Sequence, residues 1–118
     1  MSLTNKETAL LAANAISQKK GLDIVVLDIG EKSSFADYFV IASGNTERQV
    51  GGLVDEVDTQ LEKAGILPDH IEGKPDSGWV LMDYGDVIVN VFTKEKRDLY
   101  QIEKIWGDGE FLEFEQAE

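Results

Sequence analysis

The sequence predicts an α/β fold, a sandwich in which helices pack against one mixed sheet. Three observations predict it. Two long segments repeat apolar residues at helical spacing, a strand-turn-strand unit alternates about a tight turn, and helical and extended segments are interspersed along the chain. The expected order is helix, strand, strand, helix, three strands and a final helix. At 118 residues the chain is expected to form one domain over residues 1–107, followed by an acidic C-terminal tail over residues 108–118.

The first helix is predicted over residues 4–20. Thr4 and Glu7 have the spacing of a capping box, in which each side chain accepts a hydrogen bond from the other residue's backbone N–H. An alanine-rich run follows, and Gly21 is a typical helix end. The apolar side of this helix consists of Ala9, Ala13 and Ile16.

Two strands are predicted next. Residues 23–29 form an aliphatic run that is too continuous to alternate and too short for a stable helix, which indicates a buried strand. Asp28 within it is either an end-of-strand residue or a paired buried acid. Residues 38–43 also have strand composition, and Gly44 and Asn45 after them permit a sharp turn.

The second helix is predicted over residues 46–64, with Thr46 and Gln49 able to cap its start. Gly51 and Gly52 contradict this locally, because each costs roughly 1 kcal/mol in a helix relative to alanine. Either they allow close packing of the helix on the sheet, or they allow approach of a ligand or partner backbone. The apolar stripe consists of Val50, Leu53, Val54, Val57 and Leu61.

A short edge strand is expected within residues 66–74, where Pro68 and Pro75 limit pairing. The stretch over residues 78–108 then predicts a strand, a tight turn at residues 84–85, a second strand and a helix. Alternation gives the hairpin a core face and a second face that mixes an indole with polar neighbours. The core face comprises Val80, Met82, Val87, Val89 and Val91, and the second face comprises Trp79, Leu81, Ile88, Asn90 and Phe92.

The last helix is predicted to have one apolar stripe, formed by Leu99, Ile102, Ile105 and Trp106. This geometry turns Tyr100 away from the stripe, into a charged field formed by Lys96, Arg97, Glu103 and Lys104. A bulky phenol in such a field suggests contact with another molecule. The acidic tail is expected to fray except where its apolar residues dock on the body, namely Phe111, Leu112 and Phe114.

Composition excludes several classes of function. The absence of cysteine excludes disulfides, thiol catalysis and thiolate metal sites. No apolar run approaches the roughly 20 residues of a membrane-spanning helix, and the N-terminal residues lack a secretory core, so a cytoplasmic location is expected. With 23 acidic and 11 basic residues, the net charge of −12 opposes direct nucleic-acid binding. The charge favours a basic protein as the partner, or alternatively serves solubility alone.

No nucleophile with an adjacent base is found, which weighs against an enzyme. His70 has no second histidine or cysteine with which to share a metal, so it is interpreted as a surface residue. Asp83 and Asp86 could hold magnesium, but the same residues are typical of a tight turn. Residues 43–45 could receive phosphate before a helix, although the glycine content is too low for a nucleotide fingerprint. Asp37 is a base, a salt-bridge partner or a cap.

Two segments resemble one known family. They are DYFVIASGNTERQV at residues 37–50 and GWVLMDYGDVIVNVFTKEKRDLYQIEKIWGD at residues 78–108, and they resemble the ribosomal silencing factor family, also called RsfS or Iojap. The similarity covers most of residues 4–108. It implies a non-enzymatic repressor of translation, without cofactor or metal, that binds the large ribosomal subunit at the basic ribosomal protein L-fourteen. Binding on the intersubunit face would block association with the small subunit when nutrients are short. Homodimers are also implied.

The resemblance further implies a nucleotidyltransferase-like scaffold without the catalytic motif. That motif pairs a Gly-Ser turn with Asp-x-Asp, whereas here Ser43 precedes Gly44, and Asp83 and Asp86 are three residues apart. Two-metal nucleotidyl transfer therefore lacks its ligands. The alternative function is a nucleotide-binding protein or nucleotidyltransferase acting near residues 43–45. A third possibility is an assembly adaptor for another basic partner.

The resemblance also implies the partner-binding residues. They are Trp79, Asp83, Tyr84, Tyr100 and Glu103, with Leu81, Met82 and Ile88 as neighbours. Tryptophan and tyrosine offer large, rigid contact areas, and acidic side chains suit a basic ribosomal protein. Trp79 could instead belong to the core, and Tyr84 could simply fill the turn.

Overall fold

The computed structural model describes residues 3–30, 36–100 and 110–111. Residues 99–100 and 110–111 are described by their backbone alone. The helices and strands are interspersed along the chain and confirm the predicted α/β class. They are α1 (Asn5–Gln18), β1 (Leu22–Asp28), β2 (Tyr38–Gly44), α2 (Glu47–Lys63), β3 (His70–Glu72), a 3-10 turn (Pro75–Ser77), β4 (Trp79–Asp83), β5 (Val87–Thr93), α3 (Lys94–Tyr100) and β6 (Glu110–Phe111).

The strands form one mixed sheet in the order β3-β4-β5-β2-β1-β6. The central pair, β2 and β5, is parallel, from Tyr38 opposite Val87 to Gly44 opposite Thr93, and the other pairs are antiparallel. Both central strands therefore end at the same edge, where each continues into a helix. The predicted edge strand is β3. The backbone of β6 pairs with the far side of β1, so the tail docks at Glu110–Phe111.

The first face of the sheet is covered by α1 and α2 and forms the larger core cluster. The alanines of α1 let that helix approach the sheet closely, while α2 contributes larger aliphatic side chains, each worth roughly 1.5–3 kcal/mol on full burial. The hairpin face predicted to be core is confirmed here. Its members Val80, Met82, Val87, Val89 and Val91 are at most 1% exposed.

The second face carries another apolar cluster. It consists of Leu27, Ile29, Ala36, Phe39, Ile41, Ile88 and Phe92, with Val25, Trp79 and Leu81 packed against it. The expectation of an indole among polar neighbours holds for Asn90, which contacts the indole, but the rest of this face is apolar, because the aliphatic strands β2 and β1 extend the sheet beyond β5. The same arrangement explains the continuous apolar run of β1, whose successive residues Val26 and Leu27 enter opposite clusters.

The helix starts agree with the predicted caps. The Thr4 hydroxyl accepts from the Glu7 N–H at 3.1 Å, and the Glu7 carboxylate accepts from the Thr4 N–H at 2.9 Å. That backbone hydrogen bond is the main cause of the lowered pKa of Glu7. At the start of α2, Thr46 accepts from the Gln49 N–H at 3.0 Å. Within the described residues, no helix is long and apolar enough to span a bilayer.

The two glycines of α2 do not pack on the sheet, so that interpretation is wrong. A Cβ added to Gly51 would lie 3.4 Å from Cγ of Pro75, in the 3-10 turn, and a Cβ added to Gly52 would meet nothing within 4 Å. Gly52 is exposed. Its openness leaves approach by a partner as the interpretation still to be tested.

Candidate functional site

Strand β4 and the turn after it position three of the five predicted binding residues. Alternation turns Trp79, Leu81 and Asp83 toward the second face of the sheet, and turns Tyr84 toward the first. Trp79 and Asp83 thus share a face, whereas the ring of Tyr84 packs against the core on the helical side.

Trp79 is a half-buried residue whose indole makes a ring contact and a hydrogen bond. Its indole stacks on Phe92, its cross-strand partner, with ring centroids 5.0 Å apart and an interplanar angle of 25°. The indole Nε1–H donates to Oδ1 of Asn90 at 3.1 Å. The indole is therefore neither wholly core nor freely exposed, and its orientation is fixed.

A cleft of about 250 Å³ lies beside this indole. Its lining combines apolar side chains with one carboxylate and is formed by Glu72, Gly73, Ser77, Trp79 and Leu81. Gly73 has φ +84°, and a Cβ there would lie 2.2 Å from the carbonyl oxygen of Trp79. The floor of the cleft thus depends on glycine, which allows the backbone to approach Trp79 closely.

Asp83 is the acidic member of the site and also a structural residue. Its Oδ1 accepts from the Gly85 N–H at 2.8 Å, which supports the positive φ of Gly85 in the turn. Its Oδ2 lies 3.5 Å from Nδ1 of His70, whose Nε2 lies 3.3 Å from Glu72. His70 is half exposed, as predicted, and stands between two carboxylates along the β3–β4 edge.

Tyr84 does more than fill the turn. Its ring packs on the helical-side core, and its hydroxyl is buried with no hydrogen-bond partner among the described residues. Burial raises the pKa of Tyr84 strongly, and the negative charge of Asp58 raises it further. Contact of Tyr84 with a partner would therefore involve the rim of the ring.

The remaining predicted residues divide into available and unavailable ones. Leu81 is half-buried beside the cleft, whereas Met82 is fully buried on the opposite face and Ile88 is 7% exposed. Burial makes Met82 and Ile88 unsuitable as contact residues, because each is packed within one of the two apolar clusters. The side chain of Tyr100 and all of Glu103 lie outside the described residues.

One member of the predicted charged field around Tyr100 is in fact buried. Arg97 is 7% exposed, and its guanidinium donates to Oγ of Ser43 at 3.0 Å and to the carbonyl oxygen of Asp23. It therefore ties α3 to β1 and β2. Helical periodicity placed Arg97 on the polar side, and no local signal in the sequence points to Ser43, 54 residues away.

The groups considered for chemistry have structural partners. Asp86 and Asp37 both accept from Nδ2 of Asn5, at 3.3 and 3.0 Å, so Asp37 anchors the start of α1. Asp28 accepts from the Gly30 N–H at 3.2 Å, as an end-of-strand residue does. In the parts of the chain that are described, no group of three or more histidine, cysteine, aspartate or glutamate residues could hold a metal ion.

The strand end at residues 43–45 does not offer free amides. Ser43 is fully buried and accepts from Arg97, while the Asn45 N–H donates to Oε1 of Gln49 at 2.7 Å. The Gln49 N–H is in turn taken by Thr46. Two of the donors that could receive a phosphate, the N–H groups of Asn45 and Gln49, are thus occupied by the chain's own caps. The mixed sheet is compatible with a nucleotidyltransferase-like scaffold.

These features describe an α/β protein whose candidate site is a fixed indole beside a cleft and two carboxylates. The chain matches the family described as "Ribosomal silencing factor during starvation" over residues 2–118. It is 40% identical to ribosomal silencing factor RsfS of Halalkalibacterium halodurans, covering 96% of this chain and 97% of that protein. RsfS of Bacillus subtilis is 41% identical, with 90% of each chain covered. The chain therefore belongs to the ribosomal silencing factor (RsfS) family.

A solved structure shows the same fold. A crystal structure of a protein from Chromobacterium violaceum matches with a TM-score of 0.86 at 36% identity, covering 98% of both chains. More distantly, the chain is 27% identical to a mouse protein named "Mitochondrial assembly of ribosomal large subunit protein 1", over 81% of this chain and 43% of that protein. The family is one of ribosome-associated regulatory factors and not of enzymes, as predicted.

Proposed function

We propose that this protein represses translation by binding the large ribosomal subunit at the basic ribosomal protein L-fourteen and blocking association with the small subunit. The observation that carries the proposal is the match to ribosomal silencing factors along almost the whole chain. The name of the mouse relative supports a large-subunit partner. We place this action in the cytoplasm.

The proposed contact surface, called here the Trp79 face, consists of Trp79, Leu81 and Asp83 on β4. Tyr84 contributes the rim of its ring from the turn at the end of β4, on the other side of the sheet. Tyr100 and Glu103 complete the proposal from the helix that follows β5. The net charge of −12 supports a basic partner, because opposite charges speed encounter and fix orientation. A fixed, half-buried indole is the kind of residue on which binding energy concentrates.

Cosedimentation with purified large subunits tests the surface. We expect Trp79→Ala and Tyr100→Ala each to weaken binding by about 2 kcal/mol, roughly thirtyfold, as loss of an aromatic anchor does. The matched control is Asn14→Ala, at an exposed position on α1, on the opposite side of the sheet. Equal binding by all four proteins would remove the proposed surface.

The blocking step needs its own measurement. Mixing large subunits, small subunits and the protein before gradient sedimentation should reduce the joined ribosome in proportion to bound protein, because one occupant excludes the other. Trp79→Ala should restore joining at the same protein concentration. Undiminished joining at saturating wild-type protein would contradict repression by occlusion while leaving binding intact.

A further inference from the structure

Asn90 is a buried polar residue within the second face of the sheet. It is 0% exposed, and the register places it opposite Leu81 on β4 and Ile41 on β2. Along β5 its neighbours on the same face are Ile88 and Phe92. A carboxamide in such surroundings loses the hydration of its polar atoms, whereas an apolar side chain of similar size would fill the space without that cost. The contacts of the amide must therefore explain its presence.

The side-chain amide of Asn90 has a hydrogen-bond partner at its oxygen but, among the residues described, none at its nitrogen. An indole N–H is a donor only, so the amide oxygen is the group that faces Trp79, at 3.1 Å. The amide nitrogen Nδ2 is buried and has no hydrogen-bond partner among the residues described. An unsatisfied buried donor lowers stability. Asn90 thus fixes the indole of Trp79, while its unsatisfied N–H group lowers the free energy of unfolding.

The hydrogen bond and the ring stack constrain the indole in different ways. Stacking on Phe92 sets the plane of the ring. The bond to Asn90 decides which edge of the ring turns inward, because it fixes the position of Nε1 within that plane. The same bond commits the N–H of Trp79 to the interior of the protein.

We propose that Asn90 is a positioning residue for partner binding. The partner contacts the ring of Trp79, whose N–H is already bonded to Asn90 and is not available to the partner. This inference rests on the proposed function, since it assigns a role within the Trp79 face. The group that meets the ring is accordingly an aliphatic or cationic side chain of the basic partner rather than a hydrogen-bond acceptor. The carboxylate of Glu72 across the cleft favours the cation.

The first test observes the indole without any ribosome. The chain has two tryptophans, so the spectrum of Trp79→Phe assigns the indole N–H signal of Trp79 by its loss. In Asn90→Leu this signal should persist but exchange with solvent at least about tenfold faster, because its acceptor is gone. Asn90→Val serves as the second variant if leucine is not accommodated. An unchanged exchange rate in a folded variant would overturn the positioning role.

The second test is a double-mutant cycle on binding to large subunits. Asn90→Leu should weaken binding roughly threefold to tenfold, since the freed ring must be ordered on binding, while its unfolding midpoint stays equal to wild type or rises. In the Trp79→Phe background, which has no indole N–H, the same change should weaken binding no further. A further loss of the same size there would overturn the inference.

The two proposals fail in distinguishable ways. If Trp79→Ala loses binding while Asn90→Leu binds as wild type does, the positioning role is overturned and the Trp79 face stands. If Trp79→Ala itself binds as wild type does, the proposed face is overturned and the inference falls with it. If both variants lose binding and the Trp79→Phe background abolishes the effect of Asn90→Leu, both proposals are supported.

Discussion

Tyr84 shows how a turn residue becomes part of a core. Alternation along β4 continues for one residue past the strand, so the ring turns toward the side of the sheet that the helices cover. The turn itself is closed by the Tyr84 N–H, which donates to the carbonyl oxygen of Val87 at 2.9 Å. The hydroxyl is carried into a place with no acceptor in the described part of the chain, which raises its pKa.

Replacing this tyrosine by phenylalanine should change stability in a pH-dependent way. Tyr84→Phe removes an unsatisfied buried hydroxyl, so near neutral pH its free energy of unfolding should equal or exceed that of wild type by up to about 1 kcal/mol. The pKa of Tyr84 is higher in the folded protein than its value of about 10 in the unfolded chain. Above about pH 10 the unfolded chain therefore loses this proton first, and the free energy of unfolding of wild type falls as pH rises. The variant should therefore gain relative stability in alkaline solution.

Denaturant unfolding of both proteins between about pH 8 and pH 11 measures this difference. Tyr38→Phe is a suitable comparison, since the pKa of Tyr38 is also raised, by burial first and then by Asp28 and Asp37. A constant difference between wild type and Tyr84→Phe across this range would contradict the predicted titration.

Single residues were predictable where their role is local. The Thr4 cap and the Gly85 turn follow from neighbours within three residues, and the structure has both. Asn90 and Arg97 were missed because their partners are distant in sequence. The sequence did contain a signal for Asn90, since it is a polar residue inside an apolar strand. Only the structure shows that its hydrogen-bond partner is Trp79.

At the scale of elements, α2 is a helix with an avoidable weakness. Its cap and apolar stripe are well formed, with Val50, Leu53, Val57 and Leu61 fully buried. Gly52 stands on its exposed side, where an added methyl group would touch nothing within 4 Å. Glycine there raises the entropy of the unfolded chain without a packing reason in the described structure.

Gly52→Ala should stabilise the protein by about 1 kcal/mol and raise the melting temperature by roughly 4 °C. Thermal unfolding measures the effect. The contrasting control is Gly73→Ala, which should be destabilising because φ is +84° and its Cβ would collide with the Trp79 carbonyl. The same Gly52→Ala protein, tested for binding to large subunits, decides the role of this glycine. Stabilisation with weakened binding would show that a partner backbone approaches α2 here.

The elements were predicted more reliably than their surroundings. The helices and strands predicted before residue 94 all form, with ends shifted by a few residues, because each has its own periodicity and its own capping or turn residues. The hairpin's second face is more apolar than predicted, with Asn90 as the polar neighbour of the indole. Alternation identifies which residues share a face, yet whether that face meets water depends on β2 and β1 lying beside β5, which the hairpin sequence does not contain.

At the scale of the whole molecule, charge bears on how the protein would meet its partner. A net charge of −12 over 118 residues gives an attractive field toward a basic surface, and salt weakens that field. The Trp79 face itself combines an aromatic ring with Asp83 and Glu72 nearby. Packing on the Trp79 ring depends little on salt. The contributions of electrostatic attraction and of ring packing to binding can therefore be separated by varying the salt concentration.

Raising monovalent salt from about 0.1 M to about 0.5 M should weaken binding to large subunits roughly tenfold, mainly through a slower association rate. Interferometry on immobilised subunits at constant magnesium separates the two rate constants. An uncharged solute at matched osmolality should have little effect. A dissociation rate that carries most of the change would contradict electrostatic steering.

The architecture could be predicted as a mixed sheet with helices, but its strand order could not. Three antiparallel pairings, β1 with β2, β3 with β4 and β4 with β5, connect neighbours in the chain. The parallel pairing of β2 with β5 connects segments separated by a helix, an edge strand and another strand. Local patterns contain no information about that pairing. The site depends on it, because it places Ile41 of β2 beside Asn90 and extends the apolar second face.

The same parallel pairing has a consequence for how the chain folds. Tyr38 and Val87 are roughly fifty residues apart, so the two middle strands meet only after a long loop has closed. During synthesis at roughly 5–20 residues per second, β2 leaves the ribosome roughly 2–10 seconds before β5 does. In that interval β2 has no partner on the side where β5 will pair, and only β1 pairs with its other side. The sheet is therefore completed only after β5 and β6 have both been synthesised.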